Sequence, residues 1–147
     1  MNLETKRMQR VQIPANNARP TVLRCHPTRS DIVSLGLESG QVLFLKLGNQ
    51  ETYIMNVHED CEEAEVDETG QFPRGMNVED LAWDPQEDNF LVSFADKGMC
   101  LVSFQGLSSD TGVVKRFELQ QHTVNNIVWM TDRSGNFITS NDKVGNI

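Results

Sequence analysis

Long apolar runs are missing from this chain, and with them any candidate for a membrane-crossing helix, which needs roughly 18 consecutive apolar residues. Residues Met1–Arg10 are charged and polar and carry no apolar stretch of the secretory-signal kind. A cytoplasmic location and no membrane insertion are therefore expected. Cysteine is scarce and odd in number: Cys25, Cys61 and Cys100 stand far apart, which excludes a closed disulfide framework. Cys25 and Cys100 lie in apolar, strand-like runs and are expected to be buried and inert. Cys61 stands among carboxylates, which should disfavour its thiolate. Positive charge is short as well, with 13 Lys and Arg against 21 Asp and Glu and a net charge of −8. That balance argues against nucleic acid as a partner, because phosphate recognition needs clustered Lys and Arg. The single basic cluster, Lys6, Arg7 and Arg10, reads as part of a solvated leader.

Catalytic signatures are absent too. The chain has no G-x-S-x-G elbow, no phosphate-binding G-x-x-x-x-G-K-[ST] loop, no G-x-G-x-x-G, no H-E-x-x-H and no C-x-x-C. No enzyme activity, no cofactor and no metal site are expected. His26, His58 and His122 fall one per repeat region, a spacing suited to turn hydrogen bonds rather than to the four ligands of structural zinc. Seven acids and no basic residue lie between Glu59 and Glu68, but the run lacks the glycine-containing pattern of a calcium loop. It reads as solvated loop, with docking of a basic partner as the alternative. Ser108-Ser109-Asp110 reads as a plain turn before Gly112.

What the chain does have is a rhythm of short β-prone runs separated by turn residues, with no convincing helix. Thr21–Cys25, Ile32–Leu37, Gln41–Leu47 and Glu51–Val57 form one set of four. Val78–Trp83, Phe90–Phe94, Met99–Phe104 and Val113–Leu119 form a second. Val124–Trp129 and Phe137–Thr139 begin a third. Corresponding residues recur at matched intervals. Cys25 and Trp83 are 58 residues apart, as are Gly40 and Gly98; Trp83 and Trp129 are 46 apart, and Gly98 and Gly145 are 47 apart. Each glycine closes the turn between second and third strands, where a residue tolerant of positive φ is wanted. Asp84-Pro85 turns the chain out of its first strand, since proline cannot continue a ladder. Four short strands per unit of about 40–45 residues is the periodicity of propeller blades. The longer first stride has its excess in 58–76.

The phrases Asn77-Val78-Glu79-Asp80-Leu81-Ala82-Trp83-Asp84-Pro85 and Val124-Asn125-Asn126-Ile127-Val128-Trp129 resemble the first strand of a WD-repeat blade. The resemblance covers about residues 20–147. The Gly-His dipeptide usual before that strand is only approximated by Gln121-His122 and Gly75-Met76, and the Trp-Asp ending of the third strand is missing. The family's full Asp-His-Ser/Thr-Trp hydrogen-bond network is therefore not expected.

The resemblance implies an all-β fold: a partial β-propeller of about two and a half four-stranded antiparallel WD-repeat blades, read as a fragment of a larger propeller. Residues 1–19 read as a leader, with Arg7–Ile13 the candidate last strand of a preceding blade. Residues 20–57 form a first blade, 58–76 an acidic insertion loop, 77–119 a second blade and 120–147 an incomplete third. Two and a half blades cannot close a ring, so the remaining blades of a longer chain are expected. The implied function is a non-catalytic protein–protein interaction scaffold whose partners are other proteins. Arg19, Arg74, Met76 and His122, in the loops before the first strands, are the candidate contacts. Gly40, Gly98, Gly145, Trp83, Asp84, Pro85 and Trp129 are the structural repeat positions. A structural propeller subunit of a trafficking, coat or ciliary assembly is the second reading. An enzyme is the third, and it would need a charged constellation on the first strands, where none is expected.

Overall fold

The computed structural model describes residues 10, 12, 18–62, 64–96, 98–118, 123–132 and 134–141. Gly145, His122 and most of Arg7–Ile13 lie outside them. Among the described residues the chain is all-β, with ten strands and no helix. None of it is a helix long and apolar enough to cross a membrane.

The strands form three antiparallel sheets. The first holds β1 (Pro20–Cys25), β2 (Ile32–Leu37), β3 (Gln41–Lys46) and β4 (Glu51–Asn56) in chain order. The second holds β5 (Val78–Trp83), β6 (Asn89–Phe94), β7 (Gly98–Ser103) and β8 (Gly112–Glu118), again in chain order. The third pairs β9 (Asn126–Trp129) with β10 (Phe137–Ser140). Simple up-and-down order follows from the short connections, because a few turn residues can only return a strand beside its predecessor. The two larger sheets also share an irregularity. Pairing shifts between Pro20 and Val22 in β1 and between Val78 and Asp80 in β5, the same place in the two first strands.

The sheets stack face to face. Ile32, Val42 and Phe44 of the first sheet pack against Phe90, Val92 and Phe94 of the second in one buried cluster. The opposite face of the second sheet, through Leu91 and Met99, packs on Val124 and Ile127, with Trp129 and Phe137 at the margin. The middle strands are thus covered on both faces, which is why β2 and β6 read as near-continuous apolar runs rather than alternating ones. Leu35, Leu37 and Leu43, on the far face of the first sheet, bury with Ala18. Although aromatics are few, they concentrate at the first junction: Trp83 lies 4.7 Å from Phe90 and 5.2 Å from Phe104, centroid to centroid. Each such pair contributes about 0.5–1.5 kcal/mol beyond its area burial. Gly36 marks a close approach of the sheets, since a Cβ there would stand 2.5 Å from Val78 Cγ1.

Stacking also brings the first strands side by side, β1 against β5 and β5 against β9. One expectation fails here: Cys25 is exposed. β1 is an edge strand, exposed along most of its length, so an apolar run in the sequence does not guarantee cover there.

Candidate functional site

Antiparallel order gathers the loops into two ends. The leading end carries Arg19, the β2–β3 turn, His58, residues 74–77 and the β6–β7 turn. The trailing end carries His26–Asp31 and Asp84–Asp88. At the leading end the β2–β3 and β6–β7 turns are tied to the residues just before the first strand of their own sheets. Glu38 N–H donates to Arg19 O, Ala95 N–H to Asn77 O and Asp96 N–H to Gly75 O, all at 2.9 Å. Gly40 sits in the β2–β3 turn with φ of 78°, as a tight hairpin demands, and its carbonyl accepts from His58 N–H at 2.9 Å. The positive φ expected at Gly98 is not found: Gly98 opens β7 as a strand residue, and its N–H donates to Asp96 Oδ1 at 2.7 Å.

Two histidines join the first and second sheets, one at each end. Buried His58 accepts the Asp60 N–H on Nδ1 at 3.1 Å, which leaves the ring proton on Nε2 to be donated to Asp96 Oδ2 at 2.6 Å. His26 accepts the N–H groups of Thr28 and Arg29 on Nδ1, and its Nε2 donates to Asp88 Oδ1 at 3.0 Å. Asp88 also pairs with Arg29 at 3.0 Å. In both rings each nitrogen is already committed, so neither has a lone pair free to take a proton from a substrate. Cys61 donates its thiol to Gly40 O at 3.0 Å, and burial pushes its pKa up. Desolvation, rather than the neighbouring carboxylates, is the cause. The 59–68 acids belong to a loop whose ends are anchored by buried His58 and Met76. Burial pushes the Cys100 thiol up to about 12.

The first strands carry the charged group that the sequence reading did not anticipate. Asp80, buried on β5, accepts from Arg24 of β1 at 2.9 Å and, through its other oxygen, from the Ile127 N–H of β9 at 2.7 Å. One carboxylate therefore joins three sheets. Its only signal in the sequence is an acid inside an apolar strand, Val78-Glu79-Asp80-Leu81. Nothing in the sequence pairs Asp96 and Asp88 with the histidines they hold. They occupy turns where aspartate is common for local reasons.

Of the structural repeat positions, the two tryptophans each donate across a junction. Trp83 Nε1–H donates to Ser34 Oγ across the first junction, and Trp129 Nε1–H donates to Ala82 O across the second, both at 2.9 Å. Asp84 Oδ1 accepts the Gln86 N–H at 2.9 Å, closing the turn that contains Pro85. Of the partner-binding candidates, Arg19 and Arg74 are exposed and line one cleft of about 460 Å³ at the leading end, with Glu38, Phe72 and Asn77. Met76 is buried and offers its side chain to the core instead. His122 lies outside the described residues. A second cleft of about 590 Å³ opens beside His58, Asp96 and Arg116. There Arg116 donates to Val57 O at 2.8 Å. Among the described residues no cluster of three His, Cys, Asp or Glu side chains could hold a metal ion.

Neither the protein-family models nor the curated proteins contain a match to this chain.

Proposed function

We propose that this chain is a segment of a WD-repeat-type β-propeller that acts as a non-catalytic protein–protein interaction scaffold. The observation that carries the reading is the side-by-side placement of β1, β5 and β9, the first strands of three stacked sheets whose two larger members keep their strands in chain order. Blades arranged around a propeller axis have this relation. The matched Trp83 and Trp129 donors, and the histidine bond of His58 to a turn aspartate of the next sheet, support it. Such a stack holds its loops rigidly at one end, so a partner meets a preformed surface and little ordering entropy is lost on binding. The interaction reading is favoured over catalysis because His26 and His58 are spent on Asp88 and Asp96. Arg19 and Arg74 of the leading loops, by contrast, are exposed.

The test is affinity capture with the full chain, followed by reconstitution of each captured protein with purified chain in a calorimeter. A saturable complex of defined stoichiometry is the expected result. A chain that forms no complex with any purified candidate, yet turns over a co-purifying small molecule, would overturn the reading.

A further inference from the structure

The arginines of the leading end stand out in a molecule with a surplus of acids. Arg24, Arg29 and Arg116 are each engaged with a protein oxygen. Arg19 and Arg74 line the same cleft, and neither guanidinium has an ion-pair partner among the described residues. The seven acids between Glu59 and Glu68 lie in the same loop as Arg74, yet none of those described pairs with it. Several other donors around the cleft are already used. The Thr69 and Gln71 N–H groups both go to Asp67 Oδ1 at 2.9 Å, and the Thr21 hydroxyl goes to Gly36 O at 3.1 Å. Asn77 Nδ2 is turned to Glu79 at 3.2 Å. The charged donors that remain to offer a ligand, beside the neutral side-chain amide of exposed Gln71, are two guanidinium forks, each with five N–H donors in a planar array that matches a carboxylate.

The charge count selects among anions. Glu38 lines the cleft as well, with one oxygen accepting the Arg19 backbone N–H at 3.0 Å. Among the lining residues two positive groups stand against one negative, and Asp67 and Glu79, which accept hydrogen bonds from Gln71 and Asn77 of the lining, add negative charge at the margin. That balance suits a carboxylate better than a doubly charged phosphate, which Glu38 would repel. Phe72, half-buried, and exposed Pro73 give the cleft an apolar rim for the backbone and flanking side chains of a chain laid across it.

We infer that the Arg19–Arg74 cleft is a docking site for an Asp or Glu side chain of an acidic peptide segment in a partner protein. The inference rests on the scaffold reading and names the chemistry of its partner.

The test is a degenerate peptide array with Asp, Glu, Asn, Gln, phosphoserine and Lys at the varied positions, probed with the full chain and with the Arg19→Glu/Arg74→Glu double variant. Far-UV circular dichroism confirms that the variant retains its β signal. The wild-type chain is expected to enrich Asp or Glu over Asn or Gln at one position. The double variant should lose that enrichment or turn it toward Lys. In solution, Arg19→Ala and Arg74→Ala should each weaken the selected peptide about threefold to fivefold, the worth of one exposed arginine–carboxylate pair. Lys115→Ala, on the outer edge strand β8, should leave it unchanged. Acid selection that survives charge reversal overturns the site, and selection of phosphoserine over Asp and Glu overturns the carboxylate. Selection of peptides without any acid preference overturns the inference while leaving the scaffold reading intact. Binding of no peptide at all, together with failure of the reconstitution above, takes both down.

Discussion

Removing the carboxylate of Asp80 should cost far more stability than removing its arginine partner. Arg24 is half exposed, with 49% of its side chain accessible against 8% for Asp80. The ion pair taken alone is therefore worth about 0–1 kcal/mol after solvent screening. The bond to Ile127 N–H is another matter, because Ile127 is buried and its amide has the carboxylate for a partner at 2.7 Å. Stranding a buried N–H costs about 1–3 kcal/mol, and the lost bond was to a charged acceptor. The Leu81 N–H, also held by Asp80 at 2.9 Å, adds to this. Asp80→Ala should lower stability by about 3 kcal/mol, and Arg24→Ala by about 1 kcal/mol or less. At this chain length 3 kcal/mol corresponds to a fall in Tm of roughly 10 °C. Urea denaturation followed by tryptophan fluorescence measures both variants and their combination. Trp83 and Trp129 sit at the two junctions Asp80 bridges, so each reports on one of them. The double variant should be little worse than Asp80→Ala alone, because removing Asp80 has already cost Arg24 its partner. Equal losses for the two single variants would refute the reasoning. They would mean that the surface pair, and not the bond to Ile127, carries the energy.

Other expectations follow from single residues. Trp83→Phe keeps the ring packing but loses the donor to Ser34 Oγ, for a loss of about 1–2 kcal/mol in the same denaturation assay; an unchanged midpoint would assign all of Trp83's worth to packing. Gly40→Ala meets both a φ of 78° and a Cβ placed 2.7 Å from His58 Cβ, whereas Gly48→Ala meets nothing within 4 Å. The first should destabilise by about 2 kcal/mol or more and the second by no more than about 0.5 kcal/mol, and comparable losses would show that the β2–β3 turn relaxes freely. Under native conditions at pH 8, iodoacetamide followed by mass spectrometry should label exposed Cys25 first and Cys61 more slowly. Cys100, with its pKa pushed up to about 12, should resist until the fold is denatured; similar rates at all three would contradict the burial. Asp67 is held below the usual carboxylate range, chiefly by the Thr69 hydroxyl, which donates to it at 2.6 Å. A group depressed in the folded state favours folding above its unfolded pKa and loses that contribution as pH falls through the folded value. An NMR titration should place the Asp67 midpoint below 3.8, and Thr69→Ala should move it back up.

Much of the architecture was legible in local patterns. The four-strand sets were bounded to within a residue or two because Pro, Gly, Asn and Asp interrupt β-prone runs at regular intervals, and turn chemistry is a short-range property. The positive φ at Gly40 was readable for the same reason. The third set was less so: its first strand begins at Asn126 rather than Val124, since Asn125 and Val124 are drawn off to the loop and to packing beneath Leu91. The candidate site was legible only in part. Arg19 and Arg74 could be named as loop residues, but a loop position says nothing about whether a side chain faces solvent, and Met76 next to them is buried.

The sequence by itself determined strand order, turn positions, the repeat interval and the negative charge, all of which depend on residues near one another in the chain. Only the tertiary structure decided which faces meet. It left Cys25 bare on an edge strand, gave Trp83 its acceptor 49 residues away, and set Asp80 between Arg24 and Ile127, which lie 56 residues before it and 47 after. It also brought two arginines 55 positions apart into one cleft. The reason is geometric: alternation along a strand says which side chains share a face, but what that face touches depends on how one sheet stacks on the next.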